Sequence, residues 1–421
     1  MKSIKLALIM TVVFGLVAGS AFALPTHEIV KVSESLGLTS AHNYYPEIAG
    51  DYLVWSGPNV YEYQRSTGTL IHTYGNAAGK GNCSVNEDGD VVNVYSTGFS
   101  CRPRWNGVNL TSTRAYNYMG LDQDGDIASF AAIANGIYAI HYTVNGGTPV
   151  VINPDKYYSG TYNSWSDTDS SSVVWYGWGV GAPHADTWVY HYDIATGTKT
   201  DVGAGLSFGD SEYYNAGPKV DGDYITWHNG ADTHSMDIML YEISTGTTSK
   251  IWDYGVEGTT ADNPKISGNY IVWDNDESDY EDTHNIWLYD IENGTTTQLS
   301  TAGYGSGYSH RPSIDGDFVA WSAYEEDGTS DVYVYQISTD TRMLVTDASW
   351  TEVNNGVWNT GPAQVYDVGG DYVLAFGYYD EDSGTYQIAL SQAQAIPEPA
   401  TLCLLGVALA ATAGIIRKRL H

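Results

Sequence analysis

Carboxylates crowd one polar loop of the sequence and are the first candidates for chemistry. Asp274, Asp276, Asp279 and Asp282 alternate along this loop with other residues. Ca²⁺ takes six to eight oxygen ligands, which such a loop can supply. We therefore predict calcium as a cofactor at these four residues. The alternative is that the carboxylates of this loop are exposed to solvent and bind no metal. The Asp-Gly-Asp steps elsewhere in the sequence are explained as hairpin turns.

Histidines form a second candidate metal site. His234 and His284 occupy matching places in consecutive repeats of the sequence. Histidines from different repeats can bind a transition metal if the fold brings them together. Inheritance from a common repeat explains the match equally well. The remaining candidates are scattered at His184, His191, His228 and His310.

Motifs of covalent or nucleotide chemistry are absent from the sequence. The segment Gly303-Tyr304-Gly305-Ser306-Gly307 has glycine at its centre, so it is not a hydrolase nucleophile elbow. No Gly-Lys phosphate loop or dinucleotide fingerprint occurs. Carboxylates are so numerous that a glycosidase pair can be neither located nor excluded. The catalytic residues, if the protein is an enzyme, are not assigned.

Tryptophans divide into a regular and an irregular set. The regular ones recur at one repeat position and are predicted to form the core between repeats. The irregular ones are candidates for stacking on sugar rings, and acidic residues nearby suit carbohydrate recognition. The regular set is Trp55, Trp175, Trp227, Trp273 and Trp321, and the irregular set is Trp165, Trp178, Trp350 and Trp358.

The elements that must position these residues are repeated β-meanders. Three stretches, residues 217–253, 263–300 and 311–347, show the unit best. Each has a short extended piece, a Gly turn, a strand ending in Trp, a polar loop, a Tyr-rich strand, a second turn and a polar strand. Asp-Gly and Asn-Gly favour tight hairpins. The unit is a four-stranded antiparallel sheet, and this period is typical of propeller blades.

We predict an all-β propeller of eight blades, with seven as the alternative if one weak copy is an insertion. The last unit has only three strands, at 363–368, 371–377 and 386–390. An additional strand at 26–35 precedes the first unit. We expect this strand to complete the last blade, which closes the ring and removes an exposed sheet edge.

The repeats Asn263–Trp273 and Asn285–Ile291 resemble the propeller repeats of Tol-system proteins and of related surface proteins. The resemblance spans about residues 26–392 and weakens in the second unit, where Arg102-Pro103-Arg104 replaces a Tyr-rich strand. It implies the fold and, loosely, a binding role, but no single reaction.

Composition indicates a folded, strongly acidic domain. The 421 residues include 50 acidic and 18 basic side chains, for a formal net charge of -32. Such a surface repels nucleic acid and anionic lipid, so neither is expected as a partner. Aromatic residues make up 13% of the chain, whereas disordered acidic chains lack them.

The N-terminus has the pattern of a secretory signal peptide. Lys2 and Lys5 precede an apolar run, and Ala21-Phe22-Ala23 is a small-x-small cleavage site. We predict a signal peptide over residues 1–23 and the propeller domain over 24–394. Export to an oxidising compartment would allow Cys83 and Cys101 to form a disulfide, although the sequence leaves the pairing open.

The C-terminus, residues 395–421, has the pattern of a sorting segment. An apolar helix is predicted at 400–416, followed at once by a basic end that stays on the cytoplasmic side. The segment resembles the PEP-CTERM signal of Gram-negative bacteria. The resemblance implies processing by exosortase during export, a temporary membrane anchor through this tail alone, and a host that makes extracellular polysaccharide. The motif residues are Pro397, Glu398, Pro399, Arg417, Lys418 and Arg419.

Three functions fit these features. The first is a non-enzymatic propeller that binds or scaffolds in the exopolysaccharide layer at the cell surface or in the matrix. The second is a polysaccharide lyase or glycosidase that uses loop His and carboxylate residues. The third is a module for protein interactions in the envelope. One propeller architecture serves all three, so the fold does not decide among them.

Overall fold

A computed structural model of the chain is built almost wholly from short antiparallel strands, as the repeat pattern predicts. One compact unit covers residues 30–390, and the described residues of the second unit are 27–29 and 391–393. The structure describes residues 27–75, 83–96, 101–113, 115–122, 125–134, 137–152, 166–178, 187–203, 217–230, 236–257, 260–276, 284–300, 308–324, 330–346 and 362–393.

The strands of the first half are β1 His27–Lys31, β2 Tyr44–Ala49, β3 Tyr52–Ser56, β4 Asn59–Gln64, β5 Thr69–Gly75, β6 Cys83–Val85, β7 Val91–Ser96, β8 Cys101–Trp105, β9 Val108–Asn109, β10 Ala115–Leu121, β11 Ile127–Ala134, β12 Ile137–Val144, β13 Val150–Val151, β14 Ser166–Thr168, β15 Ser172–Trp178, β16 Thr187–Asp193 and β17 Thr198–Asp201. A short helix, α1 Val32–Ser35, follows β1.

The strands of the second half are β18 Lys219–Asp221, β19 Tyr224–Gly230, β20 Met236–Glu242, β21 Thr247–Trp252, β22 Thr260–Ser267, β23 Tyr270–Asp276, β24 His284–Asp290, β25 Thr295–Gln298, β26 Tyr308–Asp315, β27 Phe318–Tyr324, β28 Ser330–Gln336, β29 Thr341–Leu344, β30 Gln364–Asp367, β31 Tyr372–Asp380 and β32 Thr385–Ala393. A second short helix, α2 Tyr254–Glu257, follows β21.

These strands form eight blades. Blades 1 and 4 to 7 are separate four-stranded sheets in chain order, from β2–β5 to β26–β29. Blades 2 and 3, β6–β9 and β10–β13, merge into one eight-stranded sheet because Ala115 of β10 pairs with Cys101 of β8. Blade 8 has the order β1-β32-β31-β30. The prediction of eight blades is confirmed.

The first strand of each blade lies innermost and forms a closed ring with its counterparts. β2, β6, β10, β14, β18, β22, β26 and β30 each contact the next in this order, and β30 contacts β2. These strands therefore surround a central channel. The predicted closure is confirmed, since β1 pairs with β32 as the fourth strand of blade 8.

The predicted bounds of the closing strand are wrong at one end. The strand ends at Lys31, and residues 32–35 form α1 instead of continuing it. The chain must turn here from the outside of blade 8 towards the inside of blade 1, and a helical turn does so while burying Val32 and Ser33. Ser33 Oγ accepts a hydrogen bond from Ile388 N at 2.9 Å and donates one to Gln387 Oε1 at 2.7 Å.

The regular tryptophans pack between blades, as predicted. Trp55, Trp175, Trp227, Trp273 and Trp321 are at most 1% exposed and are the largest fully buried side chains of the described residues. Trp227, for example, packs with Val174 and Val189 of the preceding blade. Burial of this apolar surface stabilises the interfaces that these tryptophans form between blades.

Aspartates at the first turn of a blade bind neighbouring backbone. Gly222 and Gly316 have φ of 56° and 51°, the left-handed region that glycine adopts without strain. The aspartate after each glycine binds the turn between the third and fourth strands of its blade: Asp317 accepts bonds from Ser338 N at 2.7 Å and Ser338 Oγ at 2.5 Å. Asp221, before Gly222, accepts a bond from Gly268 N of the next blade at 2.6 Å. The Asp-Gly-Asp steps are therefore structural.

Candidate functional site

The channel contains charges contributed by blades on opposite sides of the ring. Glu47 on β2, Lys219 on β18 and Lys265 on β22 each lie two residues before the last paired residue of the inner strand. They therefore share one level of the channel. Glu47 of blade 1 interacts electrostatically with Lys265 of blade 6, Lys219 of blade 5 and Asp167 of blade 4. Interactions between non-adjacent blades can only cross the channel.

These charged groups shift one another's pKa values. Burial raises the pKa of Glu47 to about 7, although Lys265 and Lys219 act in the opposite direction. Repulsion by Lys219, followed by burial, lowers the pKa of Lys265 to about 8. Lys219 itself forms an ion pair with Asp167, with Nζ and Oδ1 2.7 Å apart. The channel thus holds an acid and a base that both titrate near neutral pH.

A second polar network lies at the start of the inner strands of blades 6 and 7. His228 Nδ1 lies 2.7 Å from Asp262 Oδ1. Burial acts to raise the pKa of Asp262, but His228 and the N–H of Asn263 lower it below its ordinary value. Asn263 Nδ2 and Arg311 N donate to the two oxygens of the buried Asp274, at 3.2 and 3.3 Å.

Three inner strands carry the same backbone irregularity. Tyr45, Asn263 and Arg311 have φ of 50°, 51° and 45°, and each precedes a buried proline. A break in the strand register accompanies each of them. This conformation costs roughly 1 to 2 kcal/mol for a residue with a side chain. The bulges place three non-glycine residues at one level, at the end of the channel opposite the Gly turns.

Aromatic rings gather at this same end, where blades 8 and 1 meet. We call His42, Tyr44, Tyr45, Tyr379 and Tyr386 the aromatic cluster. His42 is exposed and the four tyrosines are half-buried. The ring centroids lie 5.7 Å apart for His42–Tyr44, 5.3 Å for His42–Tyr386, 6.0 Å for Tyr44–Tyr386, 6.5 Å for Tyr44–Tyr45 and 5.3 Å for Tyr379–Tyr386.

The position of the aromatic cluster follows from the chain path. Tyr44 and Tyr45 begin the inner strand of blade 1, and Tyr379 and Tyr386 flank the hairpin between β31 and β32. Asn43 N donates to Tyr386 O at 2.8 Å, and Tyr386 N donates to His42 Nδ1 at 3.0 Å. Closure of the ring therefore builds the cluster.

The predicted calcium residues are only partly described. Asp274 is buried and binds Asn263 and Arg311 N, as above, and Asp276 ends β23. Asp279 and Asp282 lie outside the described residues. Within the described ranges, no group of three or more His, Cys, Asp or Glu side chains could hold a metal ion. Calcium binding at this loop stays a prediction.

The predicted histidines are not brought together among the described residues. His191 is buried and lies 2.9 Å from Ser172 Oγ, and His228 lies beside Asp262. His284 begins β24 and His310 lies in β26. His184 and His234, like the stacking candidates Trp165, Trp350 and Trp358, lie outside the described residues, and Trp178 ends β15.

The two cysteines lie on strands separated by a third. Cys83 on β6 and Cys101 on β8 flank β7, and both are free thiols. Two strand spacings amount to about 9 to 10 Å, beyond the roughly 7 Å between Cα atoms that a disulfide spans. Burial, together with Glu47, raises the pKa of the Cys83 thiol. The structure therefore gives no disulfide at this pair.

Neither the channel charges nor the aromatic cluster was predicted from the sequence. One signal was present for the lysines: the repeats read Gly-Pro-Lys-Val at 217–220 and Asn-Pro-Lys-Ile at 263–266, with lysine at one repeat position. The aromatic cluster had no such signal, because residues 42–45 and 379–386 are far apart in the sequence.

Comparison with known proteins identifies the C-terminal segment. Residues 395–419 match the family model of the PEP-CTERM protein-sorting motif. This motif indicates export in Gram-negative bacteria, recognition by exosortase at the C-terminus, and sorting to the cell surface. No curated protein matches the chain. Both the tail, from residue 394, and the predicted signal peptide lie outside the described residues.

Solved structures share the fold. A manganese complex of oligogalacturonate lyase has a TM-score of 0.52 and 13% identity, covering 89% of this chain and 95% of that one. The oligogalacturonate lyase of Vibrio parahaemolyticus has a TM-score of 0.50 and 12% identity, covering 89% and 98%. A protein assigned as TolB from Agrobacterium tumefaciens has a TM-score of 0.39 and 18% identity, covering 73% and 96%.

Within the described ranges, no helix has the length and apolarity to cross a membrane. The predicted helix at 400–416 lies beyond those ranges. The chain joins an eight-bladed β-propeller to a PEP-CTERM sorting motif and is an exported protein sorted to the cell surface.

Proposed function

We propose that the propeller is a non-enzymatic binding domain for extracellular polysaccharide, and that the aromatic cluster is its binding surface. The observation that supports this most is the set of five aromatic rings, one exposed and four half-buried, at one end of the channel. The apolar faces of sugar rings pack on aromatic rings, while tyrosine hydroxyls offer hydrogen bonds. The sorting motif supports a location at the cell surface, where the domain would be accessible to such a ligand.

Loss of one ring from the aromatic cluster should weaken glycan binding. Tyr44→Ala removes a ring that lies 6.0 Å from Tyr386 and 5.7 Å from His42. We expect the Kd for the host's purified exopolysaccharide, measured by affinity electrophoresis with the full chain, to rise roughly 5- to 10-fold.

The structure offers a matched control for this variant. Tyr142 is also half-buried and also lies 6.0 Å from a second tyrosine, Tyr192, but belongs to blade 3. Tyr142→Ala should leave binding unchanged. Equal losses in both variants, or no retention of the unmodified chain, would refute the proposed binding surface.

A lyase or glycosidase is the second candidate function. Glu47 and Lys265, with pKa values of about 7 and about 8, titrate where general acid and base groups work best. Both lie in a channel, and the fold is that of a protein named for lyase activity. The two functions differ in one outcome, since only the enzyme shortens the polysaccharide.

A further inference from the structure

Two lysines stand side by side in the channel of this acidic protein. Lys219 and Lys265 occupy the same register position of the inner strands of adjacent blades 5 and 6. Arg311 lies in β26, the inner strand of blade 7, and acts electrostatically on Lys265. Three of the 18 basic residues of the chain therefore meet at one side of the channel.

The two lysines differ in how they are neutralised. Lys219 Nζ forms an ion pair with Asp167 at 2.7 Å. Among the residues that the structure describes, Lys265 forms no ion pair with a carboxylate, although Asp167 and Glu47 act on it electrostatically. An ammonium group that is half-buried without a direct counter-ion is energetically unfavourable.

Repulsion by a neighbouring cation and burial together destabilise the ammonium group of Lys265. Repulsion by Lys219 is the largest cause of its lowered pKa, and the attraction of Asp167 and Glu47 does not compensate. Burial also keeps part of the Glu47 population protonated at neutral pH, since its pKa is about 7. Low-dielectric walls focus such a field, so an anion that enters the channel is stabilised there.

We infer that the channel binds one carboxylate of an acidic sugar at Lys265, beside Lys219, within a glycan held by the aromatic cluster. This inference rests on the proposed function and specifies its ligand. One uncompensated ammonium matches one singly charged group, which favours a carboxylate over a phosphate dianion. Tyr45 precedes Glu47, at the level of the lysines, by two residues, a rise of roughly 7 Å along the strand. The ligand must also cross the channel from blade 1 to blade 6, so it is an oligosaccharide rather than a single sugar.

Calorimetry with the full chain tests this with paired probes. The probes are a tetrasaccharide of glucuronic acid and its carboxyl-reduced neutral counterpart. The unmodified chain should bind the acidic probe more tightly. Lys265→Gln should raise the Kd of the acidic probe roughly 10-fold and leave that of the neutral probe within about twofold. Lys199→Gln, an exposed lysine with the same charge change, should alter neither.

The outcomes separate the two proposals. Binding of both probes with equal affinity, unaffected by Lys265→Gln, overturns the carboxylate site and leaves glycan binding in place. Binding of neither probe overturns both. If free glucuronate or inorganic phosphate competes as strongly as the tetrasaccharide does, the site binds small free anions, and the inference that it binds a carboxylate of a glycan is wrong. Lys265→Met supplies a second variant without the charge, and higher salt should weaken the acidic probe alone.

Discussion

Replacing Gln387 with alanine is expected to lower the free energy of unfolding by about 2 to 4 kcal/mol. Gln387 is fully buried in β32. Its Oε1 accepts hydrogen bonds from Ser33 Oγ at 2.7 Å and Asn43 Nδ2 at 3.1 Å, and its Nε2 donates to Ala41 O at 3.4 Å. The alanine leaves these polar groups without their partner inside the protein.

The size of this effect reflects the place of Gln387 in ring closure. The segment that it binds carries α1 and leads from blade 8 to blade 1. Asn43, in turn, accepts a hydrogen bond from Trp55 Nε1 at 2.9 Å, whereas the indole N–H groups of Trp175, Trp227 and Trp273 have no such partner among the described residues. The tryptophan of blade 1 is thus tied to the closure.

Urea unfolding at neutral pH measures this change. Gln298→Ala is the control, because Gln298 is an exposed residue of the outer strand β25, and it should change stability by less than about 0.5 kcal/mol. Equal stability of the Gln387 variant and the unmodified chain would show that these hydrogen bonds do not hold the ring closed.

The second large effect is a pH dependence carried by Glu47. The folded-state pKa of about 7 lies above the ordinary value of 4.5, so the folded chain holds this proton more tightly than the unfolded chain. Stability from this group is therefore complete below the unfolded pKa and is lost as the pH rises through the folded one. Glu47→Gln removes that loss.

The expected gain from Glu47→Gln is on the order of 1 to 3 kcal/mol at about pH 8, with little gain at about pH 5. Lost attraction to Lys265 offsets part of it. Urea unfolding at the two pH values measures the difference. Glu292→Gln, in an exposed hairpin turn, is the control and should show no dependence on pH. If Glu47→Gln gains the same stability at both pH values, the claim that burial raises the pKa of Glu47 is wrong.

Most of the fold could be predicted from local sequence patterns. The turns at Gly222, Gly268 and Gly316 and the buried tryptophans were predictable because hairpin residues and repeat position report backbone conformation and burial directly. Closure by the N-terminal strand followed from counting strands. The helical turn at Val32–Ser35 did not, because its apolar and polar residues fit an extended strand as well as a helix.

The candidate site could not be predicted from local sequence patterns. Tyr44 contacts Tyr386, and Glu47 interacts with Lys265, only because the ring brings together blades that are far apart in the sequence. Spacing along the chain carries no information on such contacts. The acidic loops and the repeated histidines led to predictions of metal sites because such residues are typical ligands. Two lysines at one repeat position match no such motif.

The central claim is that this exported propeller binds extracellular polysaccharide without cleaving it. Size-exclusion chromatography of the full chain incubated with purified exopolysaccharide tests it most directly. The account predicts that the protein co-elutes with polysaccharide of unchanged length. Polysaccharide that becomes shorter with time would contradict the account and make Glu47 and Lys265 candidates for catalysis, and separate elution of the two components would contradict glycan binding altogether.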